Sequence, residues 1–317
     1  MSLEVRLFTP EDAVAWDLFC EQSLQSTLLH TYKFLSYHQD RFIDQSLVIF
    51  DGEKWLGIFP AALNPGDSSQ VVSHPGSTYG GILHQGALRG EVMIEALCSI
   101  RAFYARLGFK SLVYKATPSF YHRSPAQDDL YALFRLGASK IRCDLSSTID
   151  LENRLPLIKG RRWGLKKAQK SNVSIIQGSQ YLKSFWEILT NNLSEKHEAL
   201  PVHALREIEA LVERFSEEIL CICAQHNGVI VAGVILFVTH NTLHTQYIAS
   251  NEAGRETSAM DAVIEHSIFL GIKAKKRWFD FGINNENNGL ILNDSLYTYK
   301  NGFGGGGYTY DFYQLVF

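Results

Sequence analysis

The sequence lacks any apolar run near the roughly 20 residues needed to cross a bilayer. Its longest, Val229 to Val238, suits a buried strand, so any membrane contact is expected to be peripheral. It also lacks an excess of positive charge: 30 Lys and Arg stand against 33 Asp and Glu, a net charge of -3. Coating of nucleic acid by bulk charge is therefore not expected, nor is a DNA partner. The opening Met1-Ser2-Leu3-Glu4 has neither the basic nor the apolar region of a secretory leader, and the five cysteines (Cys20, Cys98, Cys143, Cys221, Cys223) are an odd number. Both point to a reducing, cytoplasmic setting. Cys221 and Cys223 with His226 fall short of a zinc ligand set, so no metal site is expected. No HExxH or GxSxG pattern supports a hydrolase, and the glycines 304–307 lack the Lys-Ser or Lys-Thr ending of a nucleotide-binding P-loop.

What is present is enough for large cores: 317 residues, of which 46 % are hydrophobic. In the second half, Ile219 to Gln225, Val229 to Thr239 and Leu243 to Ala249 read as an antiparallel meander with turn chemistry at His226-Asn227-Gly228 and His240-Asn241-Thr242. Met260, Val263, Ile264, Ile268 and Ile272 then recur at helical spacing within Glu256 to Lys276. A strand Arg277 to Phe281, a helix Leu290 to Tyr299 and a strand Tyr308 to Val316 follow. The first half repeats the order: strands Ser46 to Phe50, Trp55 to Leu63 and Tyr79 to Leu83, a helix Gly90 to Leu107, a strand Ser111 to Tyr114, a helix Gln127 to Leu136 and a strand Lys140 to Ile149. The same succession in two halves suggests a structural duplication.

Between the halves, Asn153 to Ser171 carries Arg154, Lys159, Arg161, Arg162, Lys166, Lys167 and Lys170 with no acidic residue. The spacing of Leu155, Ile158, Trp163, Leu165 and Ala168 predicts a helix with those residues as its apolar stripe. Its cations suit a phosphate-bearing ligand or a tRNA backbone, or a solvated helix face.

The strand Trp278-Phe279-Asp280-Phe281-Gly282 runs into Asn284-Asn285-Glu286 and then Lys300-Asn301-Gly302-Phe303-Gly304-Gly305. A strand ending in polar residues at a glycine, followed by a helix and a second glycine cluster, is how α/β folds place chemistry at strand ends. These residues, with Lys159 to Ala168 and the meander, resemble the FemABX peptidyltransferases of the GNAT superfamily. The resemblance implies an α/β (α+β) protein of two tandem GNAT-like domains, each a mixed, mostly antiparallel sheet flanked by helices. Their expected extents are 1–150 and 151–317, with the last strand, 308–317, returning to the first domain.

It implies transfer of an acyl or aminoacyl group to an amine of a cell-envelope precursor or sugar, the second half carrying the chemistry and the first shaping the acceptor cleft. No permanently bound cofactor is expected; the donor is aminoacyl-tRNA or acyl-CoA. The stretch Asn251 to Ala259, where a GNAT pyrophosphate loop would lie, keeps one glycine and carries Glu252 and Glu256, which oppose a diphosphate. Acyl transfer needs a neutral amine, a polarised carbonyl and two substrates within reach. Lys300, Glu286, Asp280 and His197 are the catalytic candidates. His244, Gln246 and Tyr247 on the third meander strand are binding candidates, although strict alternation puts Tyr247 on the face opposite His244 unless the strand bulges. Arg161 and Arg162 are further candidates, as are Tyr79, Tyr114, Lys115 and His122 at strand ends of the first half. For each, a structural role in a cap, core or turn is the competing account. Two other functions fit the same residues: an acyl-CoA-dependent acetyltransferase, and a non-catalytic binder of RNA or phosphorylated glycan on a degenerate scaffold.

Overall fold

A computed structural model describes residues 3–197 and 201–317 and divides the chain into two units. Unit 1 comprises Met1–Asp144, Asn285–Ile291 and Thr309–Phe317; unit 2 comprises Leu145–Asn284 and Leu292–Tyr308. No helix among the described residues is long and apolar enough to cross a membrane.

In unit 1, strands β1 (Glu4–Leu7), β2 (Leu47–Asp51), β3 (Lys54–Phe59) and β6 (Leu83–His84) form one antiparallel sheet in the order β1-β2-β3-β6. Strands β4 (Ala62–Asn64), β5 (Asp67–Val72), β7 (Ser111–Lys115) and β16 (Gly306–Val316) lie in that order, with β5 and β7 parallel. Pro60 has no amide hydrogen to give a ladder, and the continuous strand expected over Trp55 to Leu63 breaks there into β3 and β4. Helix α3 (Glu91–Arg106) buries Met93, Ala96, Leu97, Ile100 and Tyr104. That is one helical face, and it packs with Leu47, Ile49 and Leu112.

In unit 2, β8 (Ser139–Asp150, entering from unit 1), β9 (Ser174–Gln177), β10 (Ile219–His226), β11 (Val229–Val238), β12 (Thr242–Ser250) and β13 (Trp278–Ile283) take the order β8-β13-β12-β11-β10-β9. The meander β10-β11-β12 is antiparallel, β12 runs parallel to β13, and β13 antiparallel to β8. The crossover between β12 and β13 is two helices, α8 (Glu252–Thr257) and α9 (Ala259–Lys273), where periodicity predicts one. Ser258 separates them with φ 57°, a left-handed turn that ends one helix and caps the next. Val263, Ile264 and Ile268 of α9 close a core with Ile222, Val234, Leu236, Phe279 and Phe281.

The basic run forms α5 (Lys159–Lys170), shorter than expected and with a different buried line. Leu155, Ile158 and Trp163 of the expected stripe are exposed, while Gly164 and Ala168 are buried. The contact is set by small size rather than by hydrophobicity: a Cβ on Gly164 would overlap the carboxylate of Asp261 on α9. Gly164→Ala is therefore expected to destabilise the protein by about 1–3 kcal/mol, read as a lower urea midpoint with unchanged m-value.

Candidate active site

Strands β12 and β13 pair only from Thr242↔Trp278 to His244↔Asp280, although β12 runs on to Ser250 and β13 to Ile283. The register of β12 on β11 also slips, from Leu236↔Thr245 to Ile235↔Tyr247, so Gln246 is an extra residue in a β-bulge. A bulge reverses the alternation beyond it. Leu243 and Ile248, five positions apart, accordingly both pack on the α9 core, which leaves His244 and Tyr247 on the other face. Tyr247 meets Trp186 edge-on at 5.1 Å, and its hydroxyl is 2.5 Å from Nδ1 of His203.

Where the two strands part, His244 Nδ1 donates to Oδ2 of Asp280 at 2.7 Å. Asp280 is fully buried. Its Oδ1 accepts from Ser146 Oγ at 2.5 Å and Thr148 Oγ1 at 2.9 Å, both on β8. A carboxylate with three donors is fixed in orientation. An imidazole that donates through Nδ1 to it keeps the Nε2 lone pair, the arrangement of a general base. Ser146 and Thr148 were not among the sequence candidates, because isolated hydroxyls on a strand carry no pattern until their partner is known.

Lys300, on α10 (Asp294–Asn301), is only 6 % exposed. Its Nζ donates to the carbonyls of Gly282 at 3.1 Å and Ile283 at 2.9 Å. Gly282 lies at φ 74°, inside the bulge that shifts β13 against β8 between Asp280 and Ile283, and only glycine adopts such a turn without strain. Burial pushes the Lys300 ammonium down to about 8, against an opposing pull from Asp280. Glu286 is exposed on β14 (Asn285–Glu286), which pairs with β15 (Ile291–Leu292), and it belongs to unit 1 whereas Lys300 belongs to unit 2. The side chain of His197, the last residue of α6 (Leu182–His197), lies outside the described residues.

Beyond the bulge, a cavity of about 420 Å³ is lined by Gly160, Arg161, Trp163 and Gly164 of α5, by Ile248, Ala249 and Ser250 at the end of β12, and by Gly254, Arg255, Ser258, Asp261 and Tyr299. Arg161 pairs with Asp261 at 2.5 Å, and its guanidinium lies 4.3 Å from the centroid of the Tyr299 ring. Desolvation raises the Asp261 carboxyl, and Arg161 opposes it. Arg162 is exposed. The turn at the head of α8 has already spent two amides: Gly254 N–H donates to Asn251 Oδ1 at 2.9 Å and Arg255 N–H to Asn251 O at 3.0 Å. A Cβ on Gly254 would meet the carbonyl of Val231, so this glycine serves close packing.

The first-half candidates are all buried. Tyr114 donates to Asp129 Oδ2 at 2.6 Å and accepts from Ile82 N–H at 2.8 Å. Lys115 donates to the carbonyls of His74 and Ser77, cinching that loop, and burial pushes its ammonium down to about 7. Tyr79 donates to Thr27 Oγ1 at 3.1 Å, and His122 Nε2 is 3.0 Å from the Thr117 carbonyl. Unit 1 has its own cavity of about 500 Å³, walled in part by Phe8, Trp16, Tyr32, His38, Phe42 and His74.

Residues 158–301 match the family model of an acetyltransferase (GNAT) domain. No curated protein matches the sequence at a significant level. Among solved structures, FemX superposes with a TM-score of 0.69 at 11 % identity, covering 99 % of this chain and 97 % of FemX. L-PGS from Bacillus licheniformis gives 0.63 at 13 % identity, over 97 % of this chain and 92 % of that one. A tandem GNAT protein from the clavulanic acid biosynthesis pathway gives 0.51 at 12 % identity, over 99 % and 98 %. At these identities the likeness is one of fold.

Proposed function

From a chain that carries a GNAT acyltransferase domain on a FemX-like tandem fold, we propose an N-acyltransferase that moves an acyl or aminoacyl group onto an amine of a cell-envelope precursor or sugar. The observation that carries this reading is the His244–Asp280 pair at the point where β12 and β13 part. The acceptor amine attacks the donor carbonyl, its proton passes to His244 Nε2, and Asp280 stabilises the imidazolium that forms. The carbonyl oxygen gains negative charge next to the Gln246 bulge, where the backbone leaves regular pairing and can offer a donor. Collapse of the tetrahedral adduct expels the thiol or hydroxyl of the carrier, and the proton on His244 is returned to it.

The donor occupies the 420 Å³ cavity. Its α8 turn has two amides already engaged and carries Glu252, which disfavours a diphosphate there, while the cations of α5 lie alongside. An aminoacyl ester on tRNA suits that distribution better than acyl-CoA. Acyl-CoA is kept as the second reading because Arg161 and Arg255 line the same cavity. Unit 1, with its aromatic cavity, is the candidate for acceptor binding.

The test offers labelled acyl-CoA and charged tRNA in parallel with amino sugars and envelope-precursor extracts, and reads the acceptor by mass spectrometry. A mass gain equal to one acyl or aminoacyl group is expected. Salt-sensitive RNA or glycan binding with no mass gain from either donor would replace the enzyme by a binding protein.

A further inference from the structure

The solvent face of α5 is chemically unlike a plain solvated helix. Lys159, Arg162, Trp163, Lys166 and Lys170 are all exposed and fall at the spacing of one helical face, opposite the buried Gly164 and Ala168. Trp163 is 62 % exposed, with Lys167 Nζ 5.1 Å from its ring centroid. Just before the helix, Leu155 and Ile158 are 61 % and 45 % exposed. No acidic residue occurs between Asn153 and Val173. Aliphatic side chains, a tryptophan and lysines presented together are the composition of a bilayer interface, where an indole ring sits at headgroup level and ammonium groups meet lipid phosphates.

We propose that this face docks the protein on an anionic lipid surface. Helix α5 carries six Lys and Arg and no acidic residue, while the other residues of the chain sum to a net charge of -9, so a flat anionic surface can meet the outer face of the helix without facing the acidic remainder. The exposed Leu155 and Ile158 have no role against RNA and are buried by lipid. Because Gly160 and Trp163 also line the 420 Å³ cavity, docking brings its mouth to the headgroup layer.

Vesicle sedimentation tests this without any turnover measurement, so its outcome is separate from that of the acyl-transfer proposal. The full chain is spun with phosphatidylcholine vesicles with and without phosphatidylglycerol. Binding that requires phosphatidylglycerol and weakens with salt is expected, reduced about tenfold or more in Lys166→Glu/Lys170→Glu and in Trp163→Ser. Melting curves matching the parent establish that both variants are folded. Parent protein that ignores phosphatidylglycerol, variants that sediment as well as the parent, or binding to a bulk tRNA mixture in the absence of vesicle binding would each overturn the proposal.

Discussion

His244→Ala is expected to lower kcat about 100-fold or more while leaving KM within a few-fold, because the imidazole acts on a proton in flight rather than on substrate affinity. Asp280→Asn should approach the same loss. The amide keeps the shape but withdraws the charge that stabilises an imidazolium, and its own N–H₂ group can turn the ring to the wrong tautomer. Thr148→Val, which removes one of two donors to Asp280 Oδ1, should cost much less, about 3- to 10-fold. Steady-state kinetics on the acceptor identified by mass spectrometry ranks the three. If His244→Ala turns over within threefold of the parent, about 0.7 kcal/mol, the dyad has no part in proton transfer.

Lys300→Met should reduce both stability and activity. The two carbonyls that Lys300 holds sit at the left-handed turn of Gly282, two residues from Asp280, so their release costs about 2 kcal/mol or more and loosens the carboxylate that orients His244. The ammonium is also a pH sensor of stability. In the folded chain it loses its proton near 8, in the unfolded chain near its ordinary 10.5. Between those values the unfolded state binds more protons, so stability rises with pH, and the methionine variant should lack that share of the rise. Lys115 adds a contribution of the same sign starting from about 7, so the parent's slope is flattened rather than abolished in the variant. Urea midpoints measured at several pH values above neutrality read this directly. Equal slopes in parent and variant would show that the Lys300 proton is not linked to folding.

The order of elements in the second half was legible because its signals are local. The β-rich runs, the His226-Asn227-Gly228 turn and the 3.6-residue recurrence through Ile268 each need only neighbours in sequence, and β10, β11, β12 and α9 follow them closely. The short strand β5 has no counterpart among the expected strands, since Asp67, Ser68 and Ser69 look like turn chemistry and its pairing with Ser111 to Val113 is a long-range fact. The face of α5 was misread for a related reason. A helix packed through Gly164 and Ala168 buries its smallest residues, and a stripe sought by hydrophobicity finds Trp163 instead.

The candidate site divides the same way. Asp280 and Lys300 stood out through the glycines beside them, and His244 through its strand. That His244 touches Asp280, and that Ser146 and Thr148 complete the carboxylate's shell, depends on a parallel pairing across an intervening crossover and on a strand more than a hundred residues away. Whether Tyr247 shares a face with His244 turned on a single extra residue, Gln246, which nothing in the sequence marks.

Strands β8 and β16 each begin in one unit and end in the other, and residues 285–291 interrupt the tract that builds unit 2. The polypeptide therefore changes unit four times, after Asp144, Asn284, Ile291 and Tyr308. No one cut releases either half intact: an amino-terminal fragment forfeits its closing strand, and a carboxy-terminal fragment retains that strand with nothing of β7 to pair it.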